Sequence, residues 1–157
     1  MKKLVYNISI AKPAVIVYDI MLGISDKGTY EEWTAIFSPT STYEGSWDSG
    51  SKMLLISLDD KGNPGGMVSK ILKNEPNKFV SIQHNGILRS GKEILRGPEV
   101  DEWAGGLENY YFKEDKGMTE VTIEIDSSEE YEEYMDKLYP NALQSLKELC
   151  ERAADVS

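Results

Sequence analysis

The stretch SSEEYEEYMDKLYPNALQSLKELCERAA, residues 127–154, decides the fold of this chain. Its apolar residues recur at steps of three and four, which places them along one side of a single amphipathic helix. A stripe this broad must be buried, so the rest of the chain has to supply an apolar partner surface. The residues of the stripe are Tyr131, Met135, Leu138, Ala142, Leu146, Leu149 and Ala153, flanked by Leu143 and Cys150.

The two ends and the middle of this helix carry their own signals. Ser127 and Glu130 have the spacing of a capping box at the helix start. Glutamates crowd the first turns while Lys147 and Arg152 lie near the end, which complements the helix dipole. Pro140 removes one backbone hydrogen bond and crowds the preceding turn, so the pattern predicts a kink or two successive helices.

The residues before this helix predict one strand, two short helices and then six consecutive strands. Short turns join most of these strands, so neighbouring strands must pair antiparallel. We therefore expect an α+β fold in which a curved seven-stranded antiparallel sheet buries the apolar face of the long helix. The predicted strands cover residues 4–10, 42–47, 52–58, 67–72, 78–88, 107–113 and 118–126, and the short helices cover 13–23 and 26–33. Residues 89–106 are predicted to be a long loop.

Length and charge limit the classes of function. The 157 residues are expected to form a single domain, residues 1–157. With 17 basic and 27 acidic residues the formal net charge is -10, which repels nucleic acid and anionic membranes. We expect neither nucleic acid nor membrane insertion, since the only apolar run near the start, residues 14–24, is too short to span a bilayer. The sequence predicts a soluble cytoplasmic protein and leaves a homodimer open.

The inventory of reactive side chains argues against metal and cofactor chemistry. One histidine, His84, and one cysteine, Cys150, cannot make a usual transition-metal site. Asp59, Asp60 and Asn63 lack the ligand spacing of a calcium loop. No phosphate loop and no serine nucleophile motif is present. We expect no metal and no cofactor, and Cys150 to be a small buried hydrophobic residue.

Several local strings, in this order, resemble the START-like superfamily, also called SRPBCC or Bet-v-like, which has the helix-grip fold. Within it the chain is most similar to homologues of the activator of the heat-shock-ninety ATPase, a family that overlaps with polyketide cyclase-like proteins. The strings are WTAIFSP at 33–39, YEGSWDSGS at 43–51, GMVSKILKNEP at 66–76, FVSIQHNG at 79–86, ENYYF at 108–112, GMT at 117–119, and YPNAL at 139–143 with Leu146-Lys147.

The resemblance implies an apolar cavity between the sheet and the long helix, which in this superfamily holds lipids, sterols, polyketides or other small hydrophobic molecules. It also implies that the part of the helix before Pro140 closes one end of this cavity. On that ground Tyr131, Met135, Leu138 and Tyr139 are candidates to line it, with simple core packing as the alternative.

Two polar residues are candidates for chemistry inside such a cavity. His84 shares strand parity with Val80 and Ile82, and Glu108 shares parity with Tyr110 and Phe112 on what should be a neighbouring strand. If both faces point inward, His84 and Glu108 lie close together as a proton donor and acceptor in an apolar environment. The alternative is that His84 bonds a neighbour at the sheet edge and Glu108 forms a surface ion pair.

Three aromatic residues are further candidates to contact a ligand. Trp33 and Trp103 lie in or beside loops, where tryptophan can frame a cavity mouth, and Tyr110 shares the face of Glu108. The competing interpretation is that these rings only cover the core.

These observations leave three hypotheses of function open. The first is a protein that binds a small hydrophobic molecule beneath the long helix. The second is an enzyme of cyclase or dehydratase type with His84 and Glu108 as acid and base. The third is a protein-interaction module that resembles the chaperone activators, although the chain shows no sign of a further domain.

Overall fold

The structure, a computed structural model, describes residues 1–154 and contains one antiparallel sheet with three helices packed on one face. The helices are α1 (Ala14–Leu22), α2 (Lys27–Thr34) and α3 (Glu129–Arg152). The strands are β1 (Lys2–Ile10), β2 (Thr42–Gly45), β3 (Lys52–Leu58), β4 (Pro64–Glu75), β5 (Phe79–Arg89), β6 (Lys92–Ile94), β7 (Gly106–Asp115) and β8 (Met118–Ser127).

The sheet has the strand order β1-β8-β7-β5-β4-β3-β2, and β6 adds to β5 as a short extra strand. All pairings are antiparallel, as the short turns predicted. Two register shifts interrupt the pairing of β4 with β5, one that skips Asn85 of β5 and one that skips Leu72 of β4. Irregularities of this kind bend a strand and increase its twist, which helps a sheet curve around a helix.

One hydrophobic core lies between the inner face of the sheet and the helices. Alternate residues of each strand supply it, as period-two patterning requires. The largest fully buried side chains include Trp33, Met21, Met53, Ile82, Ile123 and Leu146. The predicted α+β helix-grip architecture is confirmed.

The α1–α2 pair is held together by caps and by aromatic hydrogen bonds. Gly23 ends α1 with a left-handed φ of 66°, a conformation that glycine adopts without steric cost. The Asp26 side chain caps α2 by accepting from the Gly28 amide. The Tyr43 hydroxyl and the Trp47 indole both donate to the Leu22 carbonyl, so strand β2 and the loop after it are tied to the end of α1.

Helix α3 differs from its prediction at its start and in the residues that it buries, and of the two alternatives at Pro140 it excludes two separate helices. It begins at Glu129, and its N-cap Ser128 makes no side-chain capping bond. The predicted Ser127 capping box is therefore wrong, since the Ser127 hydroxyl bonds the Ser128 carbonyl instead. The helix runs through Pro140 without dividing in two. Its buried residues are Tyr139, Ala142, Leu143, Leu146 and Cys150, whereas Tyr131 is 55% exposed.

The predicted loop 89–106 contains the extra strand β6, which the sequence did not indicate. Strand β6 pairs with the end of β5 beyond the point where β7 leaves it. The chain then crosses close to Gly86, where an added Cβ would collide with the Ile94 carbonyl oxygen. Val68, Leu88 and Val100 are buried yet lie outside the main core.

Candidate functional site

A cluster of polar side chains lies on the inner face of the sheet beside α3. Strand β5 carries His84 in line with the core residues Val80 and Ile82. Strand β7 pairs with β5 so that Glu108 is opposite Ile82 and is diagonal to His84. The period of two thus directs both polar side chains to the same face, as one of the two alternatives predicted.

His84 and Glu108 are in direct contact. The His84 Nε2 atom is 3.0 Å from Oε1 of Glu108, and the two side chains are only 13% and 12% exposed. The alternative placement, a surface ion pair for Glu108, is not what the structure contains. The pair lies mostly out of water and still retains some access to it.

Ser69 completes the surroundings of the histidine ring. The register shift after Val68 places Ser69 directly opposite His84, and its hydroxyl lies 2.8 Å from Nδ1. An ionised Glu108 can only accept, so Nε2 of His84 carries the hydrogen of that contact. Nδ1 then accepts from Ser69 in the neutral ring or donates to it in the imidazolium form.

Two phenol groups bind the other carboxylate oxygen. The Tyr110 hydroxyl donates to Oε2 of Glu108 over 2.9 Å, and the Tyr139 hydroxyl donates to the same atom over 2.6 Å. Tyr110 belongs to β7 itself, whereas Tyr139 reaches down from α3. Glu108 therefore receives three donors from three elements of the fold and connects the sheet to the helix.

The hydrogen bonds decide the charge of the carboxyl group. Burial is the largest single influence and by itself raises the pKa of Glu108. The hydrogen bond and charge of His84, together with the hydroxyls of Tyr139 and Tyr110, outweigh burial and hold the pKa of Glu108 below its usual 4.5. Glu108 is therefore ionised at neutral pH.

The same arrangement keeps both phenols protonated. Burial, followed by the negative charge of Glu108, raises the pKa of Tyr110 and the pKa of Tyr139 well above 10. Both hydroxyls therefore remain donors across the whole physiological range. The cluster as a whole is an ionised acceptor in apolar surroundings that can bind a donor group or exchange a proton with His84.

The remaining predicted contact residues lie in different environments. Trp33 is buried in the core, where its indole donates to the Met21 carbonyl. Trp103 is half-buried in the loop before β7, and its indole donates to the Glu99 carbonyl. On α3, Met135 and Leu138 are half-buried and Tyr131 is exposed. Of these residues, none forms a hydrogen bond with the polar cluster among the bonds described.

Sequence reasoning missed Ser69 and the hydroxyl of Tyr139 as parts of this cluster. Ser69 shares strand parity with the core residue Ile71, which indicates an inward side chain, and the register shift beside it places it opposite His84. Tyr139 was considered only as an apolar lining residue. A tyrosine on the buried side of a helix next to an inward carboxylate would have been the signal for a hydrogen bond.

Two surface depressions lie away from the cluster. One, of about 400 Å³, lies between the α1–α2 turn and the end of β2, and Tyr18, Lys27, Tyr43, Trp47 and Asn74 line much of it. The other, of about 340 Å³, lies on the outer face of the sheet around Leu54, Ile56 and Leu88. No residue of α3 lines either depression.

Side chains of the sheet and of the middle of α3 pack against one another at their interface. Tyr139, Leu143 and Leu146 of α3 are at most 4% exposed and belong to the same cluster as Ile82 and Ile123 of the sheet. The apolar cavity expected here stays a prediction, since neither depression described above lies at this place. A molecule that binds among these packed residues displaces some of the side chains or part of α3.

The side chains and helices of residues 1–154 bear on two other kinds of site. No three histidine, cysteine, aspartate or glutamate side chains in this part of the chain are placed to hold a metal ion. No helix there is both long enough and apolar enough to cross a membrane.

Comparison with known proteins rests on structure alone. No protein-family model and no curated protein matches the sequence. Protein MLL2253 from Mesorhizobium loti is similar over 98% of this chain and 99% of its own, with a TM-score of 0.70 and 15% identity. The Aha1 dimer from Colwellia psychrerythraea is similar over 97% and 98%, with a TM-score of 0.66 and 18% identity.

The structure of CalU16 from Micromonospora echinospora is also similar, over 96% of this chain and 76% of its own, with a TM-score of 0.62 and 15% identity. Identities this low establish shared architecture and leave activity open. The chain shares the fold of these solved structures, which is the helix-grip architecture predicted from its sequence.

Proposed function

We propose that this chain binds a small, largely apolar molecule between the sheet and the first half of α3, with His84 and Glu108 fixing a polar group of that molecule. The observation that carries the proposal is the ionised Glu108 at the sheet–helix interface. An interface with only a packing role gains little from a buried charge, since apolar residues of similar volume are often at least as stable there.

The surroundings of Glu108 support a ligand that is mostly apolar. Ile82 is directly opposite Glu108 in the sheet and is fully buried, and Trp33 and Tyr30 belong to the same core. Binding sites for small molecules typically combine such an apolar lining with a few convergent polar groups. Tyr110 and His84 supply those groups here.

The weak burial of the first half of α3 supports a route by which a ligand enters the interface between α3 and the sheet. Tyr131 and Tyr134 are 55% and 47% exposed, so these turns bury little apolar surface. Weakly buried segments open locally at lower free energy than the rest of a fold. The contribution of Tyr131, Met135 and Leu138 to the lining is part of this proposal, because these residues would face the opened interface.

Nuclear magnetic resonance of the 157-residue chain tests the proposal with the hydrophobic probe N-phenyl-1-naphthylamine. The three tryptophan indole N–H signals report on three places: Trp33 in the core, Trp47 at the first surface depression and Trp103 in the loop before β7. We expect the probe to shift the Trp33 indole and the Glu108 amide. Shifts confined to Trp47, or no shift at all, would contradict the proposal.

A control variant separates interior binding from adhesion to the surface. Tyr134→Ser removes an exposed aromatic ring of α3 that could attract the probe from outside. The shifts of Trp33 and Glu108 should persist in this variant. Their disappearance would assign the probe to the outer surface of α3.

A second candidate function is acid–base catalysis of the cyclase or dehydratase type. The 3.0 Å contact between His84 and Glu108, next to the hydroxyls of Tyr110 and Tyr139, favours it. Molecules that bind should then be converted to product, and His84→Ala should abolish turnover while the midpoint of thermal unfolding stays within a few degrees. A variant that loses stability and keeps its specific activity would make His84 structural.

The similarity to the Aha1 dimer bears on two further proposals about partners. At 18% identity it shows the fold alone, so docking on a chaperone and formation of a homodimer both stay predictions. Light scattering after size-exclusion chromatography gives the mass of the eluted species, which shows whether the chain forms a homodimer. A pull-down that recovers no chaperone would contradict the interaction-module hypothesis.

A further inference from the structure

The three donors to Glu108 differ in how firmly the fold holds them. His84 on β5 and Tyr110 on β7 belong to paired strands in the middle of the sheet. Tyr139 is on α3, just before Pro140, and it is the only one of the three that moves when the first half of the helix lifts. Opening of the interface therefore removes one donor from Oε2 and leaves the other two in place.

Loss of the Tyr139 hydroxyl leaves the carboxylate short of a partner. When a buried charged group loses a hydrogen bond and gains no other, its desolvation is no longer compensated and the folded state is destabilised. Water supplies the missing donor in an open interface, but an apolar ligand that fills the space excludes this water. The ligand itself must then supply the donor, or the interface cannot close over it.

The charge of the site limits which donor group fits. Glu108 is negative, and the groups that contact it directly are His84 and two protonated phenols. A ligand carboxylate would meet this charge at close range in surroundings of low polarity, where like charges repel strongly. An ammonium or a hydroxyl group would instead form a charge-assisted hydrogen bond.

We infer that the ligand is an apolar molecule with an ammonium or hydroxyl group, which donates to Glu108 in place of the Tyr139 hydroxyl, and that apolar carboxylates are rejected. This inference rests on the proposed function and names the chemical class of its ligand. It makes the Tyr139–Glu108 bond a latch that holds the first half of α3 on the sheet until a ligand binds.

Three amphiphiles that differ only in their polar group test the inference: octylamine, 1-octanol and octanoate. Their affinities are measured by displacement of N-phenyl-1-naphthylamine and by calorimetry. We expect octylamine to bind at least about tenfold more tightly than octanoate, the difference that one charge-assisted bond produces. Glu108→Gln should reduce this ratio to about threefold or less, because the neutral amide neither attracts the ammonium nor repels the carboxylate.

Asp60→Asn is the matched control for net charge. Asp60 is exposed in the β3–β4 turn, and its replacement removes one negative charge as Glu108→Gln does. The preference for octylamine should be unchanged in Asp60→Asn. A loss of preference equal to that in Glu108→Gln would mean that the acidic surface attracts the amine, and it would overturn the inference.

Tyr139→Phe tests the exchange of donors independently of Glu108→Gln. The phenylalanine ring can keep the stacked contact with Tyr6, whose ring centroid is 5.0 Å away, while the hydroxyl is lost. With no latch to displace, octylamine and 1-octanol should bind about tenfold more tightly than to the unchanged chain. Tyr134→Phe, which alters an exposed tyrosine of the same helix, should leave both affinities as they are.

The outcomes separate failure of the inference from failure of the proposed function. Equal binding of octanoate and octylamine, or unchanged affinities in Tyr139→Phe, would overturn the ligand class while binding itself stands. If none of the three amphiphiles binds and the fluorescent probe does not bind either, the proposed function fails as well. The unchanged chain and Tyr139→Phe keep the inference testable even if Glu108→Gln does not fold.

Discussion

The two halves of α3 are held to the sheet by different forces. After Pro140, Ala142, Leu143, Leu146 and Cys150 are at most 2% exposed and join the main core. Before Pro140, Tyr139 alone is buried, and polar contacts hold the helix: Lys2 to Glu132, Tyr6 to Asp136, and Tyr139 to Glu108.

This difference shows which part of the helix can move. Apolar burial is lost only when the whole contact separates, whereas individual polar bonds near the surface can exchange with water. The second half of α3 therefore anchors the helix, and the first half is free to lift at a modest cost in free energy. A ligand site beneath the first half requires that this half can move while the second half stays bound to the sheet.

The largest effect is expected from one substitution made in each half. Leu146→Ala removes a fully buried side chain from the anchored half and should lower the free energy of unfolding by about 3 kcal/mol. Leu138→Ala alters a half-buried residue of the first half and should cost about 1 kcal/mol. Urea unfolding measures both values. Equal costs would mean that the two halves are equally well packed.

The next effect concerns the charged contact between the first half and the sheet. Glu108→Gln should lower the free energy of unfolding at pH 7 by about 2 kcal/mol, because hydrogen bonds to a charged group are replaced by weaker neutral ones. Urea unfolding at a series of pH values, applied to both proteins, measures this difference.

The pH dependence of that difference has a definite sign. The pKa of Glu108 is depressed in the folded state, so its contribution is fully present above the unfolded pKa of about 4.5 and is lost as the pH falls through the folded pKa. The stability difference from Glu108→Gln should therefore be constant near neutral pH and should shrink below about pH 4.5. A difference that grows on acidification would contradict the depressed pKa.

Much of this architecture could be predicted because it follows from local patterns. Alternation places Val80, Ile82 and His84 on one face, and the same rule applied to β7 brings Glu108 beside His84. The Gly23 and Asp26 boundaries follow from helix capping. These features depend on nearest neighbours along the chain.

The remaining features depend on contacts between distant residues. The pairing of Ser69 with His84 depends on a register shift between β4 and β5 that skips Asn85. Tyr131 is 55% exposed, so the apolar stripe predicted from the sequence extends too far toward the N-terminus of α3. Strand β6 forms only because β7 leaves the end of β5 unpaired.

A smaller effect is expected at the second polar contact of the first half. Tyr6→Phe removes the hydroxyl that donates to Asp136 over 2.7 Å and can keep the stacked ring contact with Tyr139. The free energy of unfolding should fall by about 1 kcal/mol or less. Hydrogen exchange should accelerate several-fold for amides 130–139 and stay unchanged for 142–150. Acceleration in both segments would mean that α3 opens as one unit.

The smallest effect is expected at the ion pair between Lys2 and Glu132. Both side chains reach the surface, where water and salt screen the attraction, so Lys2→Ala should leave the urea midpoint unchanged. Local opening is a more sensitive measure, and exchange of amides 130–135 should rise by at most about threefold. Raising the salt concentration should reproduce this rise in the unchanged chain and should add nothing in Lys2→Ala, because the same attraction is removed by both. A salt effect that persists in Lys2→Ala would place the sensitive contact elsewhere, and the pair of Tyr6 with Asp136 would then be the main polar tether of the first half.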